Sequence, residues 1–204
     1  MRIDADLDKI PSGSVYVTGS LSSQAFIMTF SSRLPRLLAA AALALLALPA
    51  AAADWQLQAG RSYMDNHGAN TVFVDATWAP RPLGIGSLTW APDATAGWIA
   101  GRDLAAFRHD RYGTRDDIWL AAAGARFQAG AADDWYRNLY FSFQVALHTG
   151  RTQALSSPYE FVSTLGWQWH RFSFGIRHIS NAKLHKPNRG ETMALVGWRF
   201  GDAR

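Results

Sequence analysis

The sequence predicts an all-β fold, an eight-stranded antiparallel transmembrane β-barrel. Three observations lead to this prediction. Eight segments of roughly ten residues alternate between apolar and polar side chains, as the strands of the smallest membrane barrels do. No segment of the exported part is a continuous apolar run long enough for a membrane-spanning helix. The chain also contains nine Trp, a residue that is enriched where hydrocarbon meets water.

The N-terminal part of the chain predicts export rather than a folded element. Arg33 and Arg36 precede an apolar run made only of Leu and Ala at 37–48, and small residues follow it. This order of basic, apolar and small residues is typical of a secretory signal peptide. We therefore expect a signal peptide over 28–53, with cleavage after Ala53.

The segments before and after the predicted signal peptide are expected to differ: the first is not part of the fold, and the second forms the barrel. Residues 1–27 contain three Asp and a Gly/Ser-containing stretch, which do not fit a signal peptide. We expect them to be a misannotated extension before a start at Met28, or else a disordered leader. Residues 54–204 are predicted to form a barrel in the outer membrane of a Gram-negative cell.

The first two predicted strands are 55–64 and 70–79. In the second strand, apolar positions that include Val72, Val74 and Trp78 share one parity. Because successive side chains of a strand point to opposite faces, these residues are predicted to share one face of the sheet.

The third and fourth predicted strands are 84–101 and 117–128. Pro92 lies inside the third, where it marks an interruption, an edge or a bulge because proline has no N–H for the sheet. Residues 102–115 are rich in Arg and Asp and predict a longer loop between the two strands.

The last four predicted strands are 138–149, 159–169, 171–181 and 191–201. The clearest alternation is in the fifth strand, where every odd-numbered position from Leu139 to Leu147 is apolar. In the last strand Trp198 and Phe200 share an apolar face. A soluble eight-stranded barrel such as a lipocalin is the competing fold, but such a face would be an aggregation hazard in water. Lipid is the better solvent for it.

Composition excludes several classes of function. The chain has no cysteine, which removes disulfides, thiol catalysis and cysteine-based metal sites. The formal net charge is only +4 without a concentrated basic patch, so we expect no nucleic-acid partner. No cluster of carboxylates that could hold calcium is evident, and we expect neither a metal nor a cofactor.

One pair of residues predicts chemistry. His178 and Ser180 are two positions apart in the seventh strand and therefore share its otherwise apolar face. A histidine can remove the proton of a serine hydroxyl and make it a nucleophile. From the spacing alone, two ordinary polar residues at a strand end explain the pattern as well. Lys183, Lys186 and Arg189 follow closely, and such a basic rim suits an anionic substrate, although a solvated loop would contain the same residues.

The segment His178-Ile179-Ser180-Asn181-Ala182, with a Pro-Asn-x-Gly loop before the last strand, resembles the PagL-type lipid A 3-O-deacylases. The resemblance is strongest over 137–201. It implies an eight-stranded barrel of the outer membrane that removes the ester-linked acyl chain at position 3 of lipid A, with a triad on the lipid-facing wall. Lipid A, as part of lipopolysaccharide, would be the substrate, and a homodimer is left open.

The resemblance also implies roles for individual residues. Ser180 would be the nucleophile, His178 the general base, and Asn181 with nearby backbone N–H groups would stabilise the oxyanion. An acid near the start of the last strand should orient the histidine, and Glu191 is the only carboxylate there. The family glutamate, however, aligns with Thr192. Either Glu191 precedes regular strand geometry, or a bulge turns it outward, or the acid is absent.

A non-enzymatic barrel is the alternative function. A structural or adhesion protein of the outer membrane would place its distinctive residues in long exposed loops, with His178 and Ser180 incidental. The predicted loops are short, and 102–115 is the single candidate for such a role.

Overall fold

The computed structural model describes residues 53–131 and 133–200, and it contains the predicted antiparallel barrel. The strands are β1 Asp54–Met64, β2 His67–Thr77, β3 Arg81–Pro82, β4 Thr89–Ile99, β5 Ile118–Gln128, β6 Leu139–His148, β7 Tyr159–Trp169, β8 Phe172–Ser180 and β9 Glu191–Phe200. The eight long strands pair in the order β2-β1-β9-β8-β7-β6-β5-β4, and pairing of β2 with β4 closes the barrel. The fold prediction is therefore confirmed.

The remaining elements are short. Among the described residues, two 3₁₀-helices occur in connections, at Ala105–Phe107 and Trp135–Asn138. Within the described ranges no helix has the length and apolar character needed to cross a membrane. The predicted N-terminal extension and the signal peptide up to residue 52 lie outside the described residues, as do residues 201–204.

The start of β2 differs from the prediction, and the position of Pro92 within β4 also has a physical explanation. β2 begins at His67 rather than at 70, because Asp65 and Asn66 have φ values of 47° and 68° and form a tight two-residue hairpin turn. Pro92 lies within β4 without interrupting it. β2 pairs with β4 only from Asp93 onward, so the missing N–H of Pro92 falls just beyond the end of that pairing.

Side-chain burial alternates along the strands, as the parity argument predicted. In β6 the odd-numbered apolar side chains point away from the barrel, and Phe141 and Leu147 are 44% and 57% exposed. The intervening Tyr140, Ser142 and Gln144 are buried inside. An apolar wall around a polar interior is the arrangement that suits a barrel in lipid.

The interior is filled by paired polar side chains. Arg177 forms an ion pair of 3.0 Å with Asp75 and donates from Nε to the Thr164 hydroxyl at 3.0 Å. Arg126 lies 3.6 Å from a carboxylate oxygen of Asp93. These charges are compensated within the barrel, which satisfies the condition for burying them.

The two ends of the barrel are built differently. One end, the loop end, carries the β1–β2 turn and the connections 100–117, 149–158 and 181–190. Its loops pack on one another: Gly190 N–H donates to the Ala154 carbonyl at 3.0 Å, and Gln153 N–H donates to the Gly113 carbonyl at 3.0 Å. The opposite end, the turn end, carries the first residue of β1 and the last residue of β9.

Candidate functional site

The predicted histidine and serine lie on the outer wall beside the loop end. Along β8 the side chains of Arg177 and Ile179 are buried, that of His178 is exposed and that of Ser180 is half-buried. The apolar residues below them on the same face, Phe174 and Ile176, are 48% and 61% exposed. The sequence pattern thus correctly predicted the face on which these side chains lie.

The imidazole of His178 is held from β9. In the register of the sheet His178 lies directly opposite Thr192, and its Nδ1 lies 2.9 Å from the Thr192 hydroxyl. The Cε1–Nε2 edge of the ring packs over Gly190, where an added Cβ would lie 2.9 Å from Cε1. Gly190 also has a φ of 70°, so two separate constraints favour glycine at this position.

Ser180 lies one step further toward the loop end. No hydrogen bond joins His178 to Ser180 in the part of the chain that the structure describes, although the two side chains share a face. Ser163 of β7 lies directly opposite His178 and is half-buried with the same outward parity. Two serines therefore flank the imidazole, one along the strand and one across it.

Glu191 does not occupy the position predicted for the orienting acid. Its side chain points into the barrel, where its Oε1 lies 2.5 Å from Nη2 of Arg102 in a buried ion pair. Strand geometry begins at Glu191 itself, so no bulge turns it outward, and Thr192 is the residue on the outer face. The prediction that Glu191 orients His178 is corrected on this ground: one residue step along a strand reverses the face.

The loop that contains Arg102 also contains a cluster of ion pairs around Asp103. Asp103 accepts hydrogen bonds from Arg108 at 2.9 and 3.0 Å and from Arg115 at 3.0 Å. These hydrogen bonds, from Arg108 first and then Arg115, lower the pKa of Asp103 to about 2. The cluster is exposed and lies at the start of the 100–117 connection.

Asn181 is also placed differently from the prediction. Its side chain is fully buried, and its amide nitrogen donates to the Ser157 hydroxyl at 3.1 Å and to the His185 carbonyl at 3.0 Å. Both amide protons are therefore committed, one to the 149–158 connection and one to the 181–190 loop. Stabilisation of an oxyanion by this side chain does not fit the geometry, and backbone donors of the same segment are the groups that remain.

The predicted basic rim is only partly available. Arg189 is ion-paired with Asp65 and its guanidinium lies 4.8 Å from the ring centroid of Phe107. Lys183 and Lys186 are exposed. The rim therefore contributes two lysines rather than three free cations.

Another cation on the outer wall was missed. Arg61 faces outward on β1, pairs with Ala194 of β9, and donates to the Asn70 side-chain oxygen at 3.1 Å. Its guanidinium lies over Gly68, where a Cβ would be 2.7 Å from Nη2. No ion pair involves Arg61 in the described ranges.

The sequence indicates the positions of Arg61 and Thr192 but not the contact made by Gly190. The parity of β1 puts Arg61 on the same face as Leu57, and the parity of β9 puts Thr192 on the same face as Trp198. Both could have been found by extending the alternation to the strand ends. The contact of Gly190 with His178 depends on the path of the loop and has no local signal.

Nowhere in the described chain do three or more His, Asp or Glu side chains gather in a way that could hold a metal ion.

Comparison with solved structures bears on the barrel fold. A crystal structure described as that of the outer membrane enzyme PagL matches with a TM-score of 0.51 and 19% identity, covering 72% of this chain and 98% of that chain. The backbone structure of the Yersinia pestis outer membrane protein Ail in a phospholipid bilayer nanodisc matches with a TM-score of 0.40 and 10% identity, covering 72% and 99%. The first similarity supports the same barrel fold for this chain.

Comparison with protein families is more specific, although no curated protein matches the chain. The model of the lipid A 3-O-deacylase (PagL) family matches residues 85–200, which include β4 to β9 and the whole outward-facing His178 and Ser180 segment. Because this match covers more than half of the 204 residues, the chain belongs to the lipid A 3-O-deacylase (PagL) family.

Proposed function

We propose that the protein is an outer-membrane esterase that hydrolyses the 3-O-linked acyl chain of lipid A. The observation that carries the proposal is a histidine on the lipid-facing wall whose Nδ1 is held by Thr192, with Ser180 beside it on the same face. Membership of a family of lipid A 3-O-deacylases supports the substrate. An active site on the outer wall also suits a substrate that never leaves the membrane.

The reaction follows from the roles of the two side chains. His178 takes the proton of the Ser180 hydroxyl while Ser180 Oγ bonds to the ester carbonyl carbon. The tetrahedral intermediate then collapses, the bond from carbon to the sugar oxygen breaks, and the imidazolium returns its proton to that oxygen. Water, deprotonated by His178, hydrolyses the acyl-enzyme and releases the fatty acid. No metal or cofactor takes part in these steps.

Backbone donors are the proposed oxyanion site. Ala182 and Lys183 follow the nucleophile segment in a local turn, with φ values of 54° and 65°. The N–H of Ala182 has no acceptor among the described residues. Preorganised donors of this kind are effective because they need not reorient when the charge develops. The Asn181 side chain would act indirectly, by fixing the turn from inside the loop.

The outer wall suggests how lipid A would be oriented. Its acyl chains would lie along the apolar face that includes Leu165 and Ile176, both more than half exposed. Its phosphates would lie near the exposed cations of the loop end, Arg61, Lys183 and Lys186. A guanidinium with only a neutral partner is well suited to bind a phosphate group by charge-assisted hydrogen bonds.

Mass spectrometry of lipid A incubated with the reconstituted protein tests this function. The wild type should remove one hydroxyacyl chain, and Ser180→Ala should lower the rate by at least about 10³-fold because the nucleophile is lost. Ser163→Ala is the matched control, since Ser163 flanks the same imidazole, and it should retain the rate within about threefold.

Two results would contradict the proposal. Loss of activity in Ser163→Ala but not in Ser180→Ala would move the nucleophile to β7. Unchanged lipid A with a folded, inserted wild-type barrel would remove the deacylase function and leave a structural or adhesion barrel as the remaining candidate.

A further inference from the structure

We infer that Thr192 takes the place of the triad acid in orienting His178, because its hydroxyl accepts a hydrogen bond from Nδ1. This inference rests on the proposed esterase function and adds a positioning residue to it. The expected orienting acid, Glu191, is buried on the opposite face of β9, so the outer wall offers a different group at this place.

The geometry supports this role directly. Thr192 lies directly opposite His178 in the β8–β9 register, and the distance from its Oγ1 to Nδ1 is 2.9 Å, within the normal range of a hydrogen bond. Threonine has a restricted χ1, so a hydroxyl placed by the strand is held with little freedom. The other edge of the histidine ring lies so close to Gly190 that a Cβ there would be 2.9 Å from Cε1.

The hydrogen bond to Thr192 determines the tautomer of the His178 imidazole. When Thr192 Oγ1 accepts from Nδ1–H, the lone pair of the neutral imidazole is on Nε2, the atom at the edge that packs over Gly190. Ser180 lies toward the loop end of the strand, the same direction as Gly190. The base nitrogen is therefore on the loop-end side of the ring, the side toward which Ser180 follows along β8. In Ser-His-Asp triads, the aspartate fixes the tautomer in this way and also stabilises the imidazolium.

A threonine can perform only the first of these two tasks. Its hydroxyl fixes the orientation of the ring but carries no negative charge to stabilise the imidazolium. The inference therefore predicts a site that is correctly aligned and slower than one with a carboxylate. Replacing Thr192 with glutamate, whose side chain would face outward like that of Thr192, should supply the missing charge.

Kinetics of three variants test the inference. Thr192→Val keeps the shape and the apolar surroundings but removes the hydrogen bond, and we expect kcat to fall by about 10-fold or more with KM little changed. Thr192→Ser should retain most of the activity. Thr192→Glu should raise kcat and move the acid limb of the kcat–pH profile to higher pH, because a neighbouring carboxylate favours the protonated imidazole. Thr77→Val, at the turn end of β2, is the matched control.

A second readout separates this inference from the choice of substrate. The rate at which a fluorophosphonate probe labels Ser180 depends on activation of the serine and not on lipid A recognition. Labelling should slow in Thr192→Val and be restored in Thr192→Ser. If lipid A is untouched while the probe rates follow this order, the proposed substrate is wrong and the Thr192 inference stands. Labelling and kcat of Thr192→Val equal to those of the Thr77→Val control would overturn the inference.

Discussion

The first two residues of β9 show how strongly a single step along a strand decides chemistry. Glu191 and Thr192 are adjacent, yet one lies inside the barrel with Arg102 and the other contacts His178 on the outer wall. The carboxylate is the stronger orienting group, but the pleat of the strand makes it inaccessible to the imidazole. Position on a face, rather than proximity in sequence, selects which side chain can act on the histidine.

Arg61 is a second residue whose role depends on its face. We predict that Arg61→Gln raises KM for phosphorylated lipid A by about 10-fold and leaves kcat nearly unchanged, because a charge-assisted contact to phosphate is lost. Dephosphorylated lipid A should show no difference between the variant and the wild type. Steady-state kinetics with both substrates measure the effect.

A control variant separates this contact from general surface charge. Arg81→Gln removes an exposed arginine at the turn end of the barrel, far along the wall from the loop end. It should leave KM for both forms of lipid A unchanged. Equal KM changes in the two variants would mean that Arg61 contributes only to the overall charge.

At the scale of elements, the start of β9 is held by a loop from the other side of the barrel. Arg102, in the 100–117 connection, binds Glu191 and also donates to the His67 carbonyl and, at 3.3 Å, to the Ser62 hydroxyl. The side chains of this ion pair are 9% and 5% exposed. The loop thus joins β1, β2 and β9 at the point where Thr192 must meet His178.

We predict that Glu191 contributes to stability rather than to catalysis. Glu191→Gln should lower the free energy of unfolding by about 3 kcal/mol, because the Arg102 charge would remain buried without a counter-charge. The folded fraction should keep kcat within about threefold of the wild type, since the residue does not touch the imidazole. Urea unfolding in lipid vesicles and single-turnover kinetics give the two quantities.

The double variant Arg102→Met/Glu191→Leu is the control for this prediction. It removes both charges at once and should recover a large part of the lost stability, since an apolar pair can replace a buried ion pair. A large loss of kcat in folded Glu191→Gln would instead return Glu191 to the catalytic site.

The sequence could predict the strands but not the contacts between loops. Alternation located the eight long strands and the outward face of His178, because the parity of a strand is fixed once its apolar face meets lipid. It also placed the start of the last strand at 191, as in β9, but it left open whether a bulge turns Glu191 outward, because that depends on the loop before the strand. The buried position of Asn181 has the same origin, since Ser157 and His185, which accept from its amide, come from two different loops. Contacts between loops have no period that a sequence pattern could display.

At the scale of the whole molecule, the barrel is closed around a filled interior. Eight strands leave an interior just wide enough for side chains. Here the ion pairs of Arg177 with Asp75 and of Arg126 with Asp93 occupy it, together with buried glutamines such as Gln58 and Gln144. The loop end is further covered by connections that pack on one another.

This interior predicts that the protein does not conduct ions. Reconstituted in planar lipid bilayers, the wild type should show no discrete conductance steps above the lipid baseline, because polar side chains rather than water fill the lumen. A porin in the same bilayer is the positive control. Stable single-channel steps would show that the lumen opens in the membrane.

The outward orientation of His178 and Ser180 has a kinetic consequence for the molecule in its bilayer. The proposed site on the outer wall would meet its substrate by lateral diffusion within one leaflet, so the relevant substrate concentration would be a number per unit area. Turnover should then depend on the mole fraction of lipid A among its neighbours and not on the total amount of lipid in the sample. Any lipid that packs against the β7–β9 wall would compete for the same surface, and the composition of the leaflet would then change the turnover rate.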